Sequence, residues 1–132
     1  MADVSGTWLG TYWQHELPTR FEATLVQGGS PLTGYILDDS RLGEARVIGE
    51  VIGSRIQFTK RYLLTSLYPV HYTGTISEDE NAMQGTWSIA GFDAGTWEAH
   101  RSGENLVAEL ANAAKRASLD RSALIQPRLP TP

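Results

Sequence analysis

The chain of 132 residues contains no cysteine. That single absence removes disulfide scaffolds, thiolate zinc sites and cysteine nucleophiles together. Positive charge is also scarce, with 11 Lys and Arg against 15 Asp and Glu, a net charge of −4. A surface that neutralises phosphates needs a basic patch, so neither nucleic acid nor an anionic membrane is an expected partner. No apolar run approaches the roughly 20 residues of a membrane-spanning helix. Met1 to Ser5 lacks the basic and apolar regions of a signal peptide, and a cytoplasmic protein is the expectation. The residues also spell no calcium loop, no Gly-rich phosphate loop and no Gly-x-Ser-x-Gly elbow. His15, His71 and His100 fit no metal-ligand spacing, so no metal and no cofactor is expected.

What is present is strand-like. Hydrophobic residues make up 41% of the chain, enough for one globular domain. From Gly6 to Arg101 the dominant pattern is alternation of period two, interrupted by turn residues. Runs at 6–13, 21–27, 32–38, 45–52, 55–63, 70–77, 83–90 and 95–101 read as eight strands. Gly28-Gly29-Ser30-Pro31 and Gly53-Ser54 mark turns between them. Short connections imply antiparallel neighbours, and closing such a meander removes its exposed edges. The expected fold is therefore all-β, an eight-stranded antiparallel up-and-down barrel over 5–101; a two-sheet sandwich satisfies the alternation equally.

Gly-Thr-x recurs at Gly6, Gly10, Gly74, Gly85 and Gly95. The alternation sends each Gly and the residue after the Thr inward, and the Thr outward. Inward Gly beside inward Trp lets large rings fit a narrow lumen. After Arg101 the period changes to that of a helix. Ser102 suits an N-cap, and Leu106, Leu110, Ala113 and Ala117 share a face, giving a C-terminal α-helix over 102–118. The last stretch, 119–132, is an extended Pro-containing tail, in which Leu124, Ile125 and Leu129 are either partner-binding residues or part of a frayed end.

Gly6-Thr7-Trp8 opening the first strand and Arg101 closing the last resemble the calycin superfamily, which includes lipocalins, fatty-acid-binding proteins and avidins. The resemblance implies that the Trp8 indole closes one end of the barrel with Arg101 lying across it, a cation–π contact. Leu32-Thr33-Gly34 and the run from Phe58 to Tyr62 leading to His71-Tyr72-Thr73-Gly74 are similar to the avidin pattern in particular. The avidin ligand residues do not carry over. Gly10 stands where that pattern has Asn, no Ser lies between Gly6 and Ser30, Phe58 replaces Trp, and Tyr68 and Val70 replace Ser and Thr. The resemblance thus implies the scaffold, and association through outer sheet faces, rather than biotin binding.

By alternation the interior holds Trp8, Tyr12, Phe21, Leu25, Ile36, Val47, Val51, Ile56, Phe58, Tyr62, Tyr72, Ile76, Met83, Trp87 and Trp97. It also holds Lys60 and Asp38. A buried ammonium is costly unless paired. One reading is an apolar cup whose ligand-binding residues are Tyr12, Asp38, Phe58, Lys60, Tyr62, Tyr72 and Trp87, suited to a small amphipathic ligand. The other is a structural Lys–Asp or Lys–Tyr network plugging the barrel, or a bulge that turns Lys60 outward. In function these become a non-enzymatic binding or accessory protein, acting through the lumen or by docking on a larger protein through the tail. The alternative is a small barrel enzyme using Lys60 with Tyr62 or Tyr72 as acid/base groups. Outward Leu9, Val26, Leu37, Ile48 and Ile52 make a homo-oligomer a further expectation.

Overall fold

The structure, a computed structural model, describes residues 2–102. The expected C-terminal helix and tail, including Leu124, Ile125 and Leu129, lie outside the described residues. Eight strands follow one another: β1 (Gly6–Gln14), β2 (Leu17–Gln27), β3 (Pro31–Asp38), β4 (Glu44–Ile52), β5 (Arg55–Tyr62), β6 (Val70–Ile76), β7 (Ala82–Ile89) and β8 (Asp93–Arg101). Each pairs antiparallel with the next, and β8 returns to β1 from Trp8↔Arg101 to Trp13↔Thr96. The ring is closed, so the barrel, not the sandwich, is the architecture.

Closure gives the alternation its meaning. Every side chain expected inward is buried except that of Tyr62, which is half-buried at one end. The inward glycines make room for rings. A Cβ on Gly10 would collide with the Phe21 ring, and one on Gly95 would lie 2.6 Å from the Trp87 indole nitrogen. Burying one indole removes about 200 Å² from water, on the order of 5 kcal/mol. Trp8, Trp87 and Trp97 are all inside.

The one large departure from the sequence reading is β2, which begins at Leu17 rather than at Phe21. Its first residues pair only with β1, since the β2–β3 register starts at Phe21↔Asp38. The β1–β2 hairpin therefore stands beyond the barrel wall, and Pro18 costs no ladder bond on its free side. His15 (φ 51°) and Glu16 (φ 69°) form its turn, both left-handed although neither is Gly or Asn.

At the end where β1 starts, the barrel is sealed. The Arg101 guanidinium carbon lies 4.6 Å from the centre of the Trp8 ring. Arg101 donates to the carbonyls of Glu80 (Nε, 3.0 Å), Ser5 (Nη1, 2.6 Å) and Asp3 (Nη2, 2.7 Å). The Trp8 indole donates to the Val4 carbonyl at 2.9 Å. Gln27 fastens the segment from outside, accepting from the Val4 amide and donating to the Ala2 carbonyl, both at 2.9 Å. Residues 2–5 are thus a stopper.

Candidate functional site at the barrel mouth

At the opposite end β3 delivers Asp38, β5 delivers Lys60 and Tyr62, β1 delivers Tyr12, and β6 and β7 deliver Tyr72 and Trp87. β5, β6 and β7 are neighbours, with Tyr72 directly opposite Trp87, but Asp38 of β3 and Tyr12 of β1 reach them only across the closed ring. Lys60 Nζ donates to Asp38 Oδ1 at 2.7 Å, and both side chains are 0% exposed. The hydroxyls of Tyr12 (3.0 Å) and Tyr62 (2.5 Å) both donate to Asp38 Oδ2. The Lys60 ammonium also lies 4.7 Å from the Tyr62 ring centre, 4.8 Å from Tyr12 and 5.7 Å from Tyr72. A buried ion pair is tolerated when its remaining groups are satisfied, and this one has two phenols on the carboxylate and three ring faces around the ammonium.

The charges follow from that packing. Burial pushes the Tyr12 phenol up to about 12, with the Asp38 charge adding to the rise. The same two causes raise Tyr62 and Tyr72 far beyond the usual tyrosine range. Burial lowers Lys60, and Asp38 pulls it partly back. The phenols therefore stay protonated as donors to Asp38. Tyr72 differs from its neighbours: it is buried, yet its hydroxyl makes no hydrogen bond among the described residues.

Of the alternatives for Lys60, the bulge is ruled out and the network is present. Beneath it Phe58 stacks on Tyr72 with ring centres 4.7 Å apart, and Trp97 meets both rings edge-on. Above it lies a cleft of about 120 Å³. Four of the expected ligand residues, Tyr12, Tyr62, Tyr72 and Trp87, line this cleft; Asp38, Lys60 and Phe58 do not. Val70, Ile89 and Tyr68 also line it. Val70 and Ile89 continue the inward registers of Tyr72 and Trp87, so period two could have found them. Tyr68 sits in the β5–β6 loop, where no periodicity applies.

The rim is apolar. Leu64 and Leu67 are each 95% exposed on the β5–β6 loop, and Phe92 of the β7–β8 turn meets Tyr68 edge-on at 5.1 Å. Asp93 accepts from Gln14 at 2.7 Å and sits 3.1 Å from His15 Nε2, tying the projecting β1–β2 hairpin to that turn. These contacts hold the Asp93 carboxyl below its ordinary range, the Gln14 bond most of all.

Other expected positions fall elsewhere. Val26, Leu37, Ile48 and Ile52 are exposed on the outer wall, whereas Leu9 is half-buried. His71 and His100 face outward. Among the described residues no cluster of His, Asp and Glu is arranged to hold a metal, and no helix is long and apolar enough to cross a membrane. The chain matches no protein-family model, and no curated protein matches it.

Proposed function

We propose that the protein is a non-enzymatic binding module on a calycin-like barrel, which receives at the mouth the end of a small amphipathic molecule, one ring or short chain tipped by a hydrogen-bonding atom. The carrying observation is the cleft itself: an aromatic floor of Tyr12, Tyr62, Tyr72 and Trp87 above a neutralised ion pair, with the Tyr72 hydroxyl a buried donor that has no acceptor among the described residues. A buried donor without a partner costs about 1–3 kcal/mol, and a ligand oxygen or nitrogen over the floor recovers part of it. The volume of about 120 Å³ suits one ring or a short alkyl end, below the range of sites that engulf a whole ligand. Exposed Leu64, Leu67 and Phe92 give the remainder of the molecule an apolar rim.

The Trp8–Arg101 contact supports the calycin kinship, being the closure that this resemblance implies. Against biotin as the ligand, the Phe21 ring fills the space beside Gly10, where the avidin pattern has a polar side chain. Against the enzyme reading, an acid/base lysine needs a nitrogen that substrate can reach. The Lys60 nitrogen is enclosed and committed to Asp38.

Titration of tryptophan fluorescence with p-cresol, hexanol and octanoate tests the proposal. The expected result is a saturable change for at least one probe that disappears in Trp87→Phe, with the affinity for that probe reduced in Tyr72→Phe. Absence of saturation with every probe, or saturation that ignores both substitutions, overturns it.

A further inference from the structure

A different face carries a second site. Outward residues form two parallel rows across the wall: Trp13, Thr96, Thr86 and Thr73 in one, Glu98, Gln84, Thr75 and Arg55 in the next. They border a groove of about 500 Å³, within the range of small-molecule sites. A convex barrel wall needs a local cause for a groove. Gly74 and Gly85 are direct cross-strand partners, and both point inward. A Cβ on Gly74 would lie 2.7 Å from the Trp97 ring, and one on Gly85 2.5 Å from the Gly74 backbone. Without side chains there, β6 and β7 sink toward Trp97 and leave a trough outside.

Of the four tryptophans, Trp13 alone is outward and half-buried rather than in the core. Its strand is held from behind: the Trp87 indole donates to the Trp13 carbonyl at 3.1 Å. Beside it stand hydroxyls, an amide, a carboxylate and a guanidinium. Apart from one contact of 3.3 Å between Thr73 and Thr86, their side chains make no hydrogen bond among the described residues. Arg55 and Glu98 balance in charge, so the groove favours neither a polyanion nor a polycation. It is also too polar for an apolar docking surface.

A neutral sugar has the complementary chemistry, with an apolar C–H face to stack on an indole and hydroxyls that both donate and accept. We propose that the outer groove of β6, β7 and β8 binds a neutral oligosaccharide, with one ring stacked on Trp13 and the next hydrogen-bonded to Gln84 and Glu98. This site is separate from the mouth and stands or falls without it.

The test is titration of the full chain with cellotetraose, maltotetraose, mannotetraose and N-acetylchitotetraose, followed by amide and indole chemical shifts and by calorimetry. At least one sugar is expected to shift Thr73, Thr86, Thr96 and the Trp13 indole. Trp13→Ala and Gln84→Ala/Glu98→Ala are expected to weaken it at least about tenfold while leaving the thermal midpoint and the other shifts near those of the parent. If Trp13→Ala disturbs the fold, the Gln84/Glu98 variant carries the test alone. No shift with any sugar up to roughly 10 mM, or shifts confined to the mouth, overturns the proposal. So does a dimer that these substitutions convert to monomer, which assigns the face to a second copy of the chain.

Discussion

The two ends of the barrel use the same device, a cation over aromatic rings, to opposite effect. At the sealed end Arg101 covers Trp8 and spends its donors on three backbone carbonyls of the stopper and the Glu80 turn. Those partners are neutral, and Arg101 keeps contact with water. At the mouth Lys60 is enclosed with its counter-ion, and two of its three rings, Tyr12 and Tyr62, carry hydroxyls that donate to the same carboxylate. A guanidinium spread over neutral acceptors closes a wall; an ammonium locked onto a carboxylate makes a floor. The mouth is consequently the end where removing one group leaves an uncompensated charge.

The largest expected effect follows from that contrast. Lys60→Met strands Asp38 in the lumen and is expected to cost about 3–5 kcal/mol, as is Asp38→Leu, which strands the ammonium. The double variant is expected to recover part of this loss, because no charge is stranded, although the Tyr12 and Tyr62 hydroxyls lose their acceptor. Urea denaturation of the four proteins reads the coupling. Singles whose costs simply add would break the comparison.

At the sealed end Arg101→Met is expected to cost less, about 2 kcal/mol, since its acceptors are carbonyls that water can serve in its place. A loss there equal to that of Lys60→Met in the same urea experiment would erase the distinction between the ends.

Alkaline pH separates them further. Tyr12, Tyr62 and Tyr72 hold their protons in the folded barrel beyond the ordinary tyrosine value of 10.0. A raised folded value means stability is complete below pH 10 and lost as pH climbs toward the folded values, by about 1.4 kcal/mol per pH unit for each tyrosine. The lowered Lys60 acts in the other direction: between its folded value and 10.5 the native state binds fewer protons, so this group alone favours folding as pH rises. Above 10.5 the tyrosines act unopposed. Tyrosinate absorbance at 295 nm should therefore appear in steps, with Tyr12, Tyr62 and Tyr72 ionising only as the barrel opens. Smooth ionisation of all five tyrosines in folded protein would contradict this.

The smallest effect concerns the projecting hairpin. Glu16→Gly is expected to stabilise by about 1 kcal/mol, by relieving a left-handed residue that is not glycine. A lower thermal midpoint would show that Glu16 has a role its conformation does not reveal.

Much of this was legible in the residues. Alternation identified the inward face correctly, Lys60 and Asp38 included, because a closed wall of period two leaves little freedom. The start of β2 was hidden because Pro18 argues against a strand and His15-Glu16 carries no turn residue. Pairing of Lys60 with Asp38 was one of several open alternatives. That Tyr12 and Tyr62 share one oxygen of that carboxylate depends on β1 and β5 both facing β3 across the lumen, a three-dimensional fact with no local signature. The Gly-Thr-x repeats placed threonines outward, but the groove they border depends on Gly74 facing Gly85, which requires the register.

The central claim is that Lys60 is sealed in the floor of the mouth. The chain has two lysines, Lys60 and Lys115, so amine labelling is unambiguous. Reductive methylation of native protein, digested and read by mass spectrometry, should leave Lys60 unmodified until urea unfolds the barrel. Methylation of Lys60 in the native protein as fast as in the denatured chain would mean that its nitrogen is open to water, and that the floor does not exist.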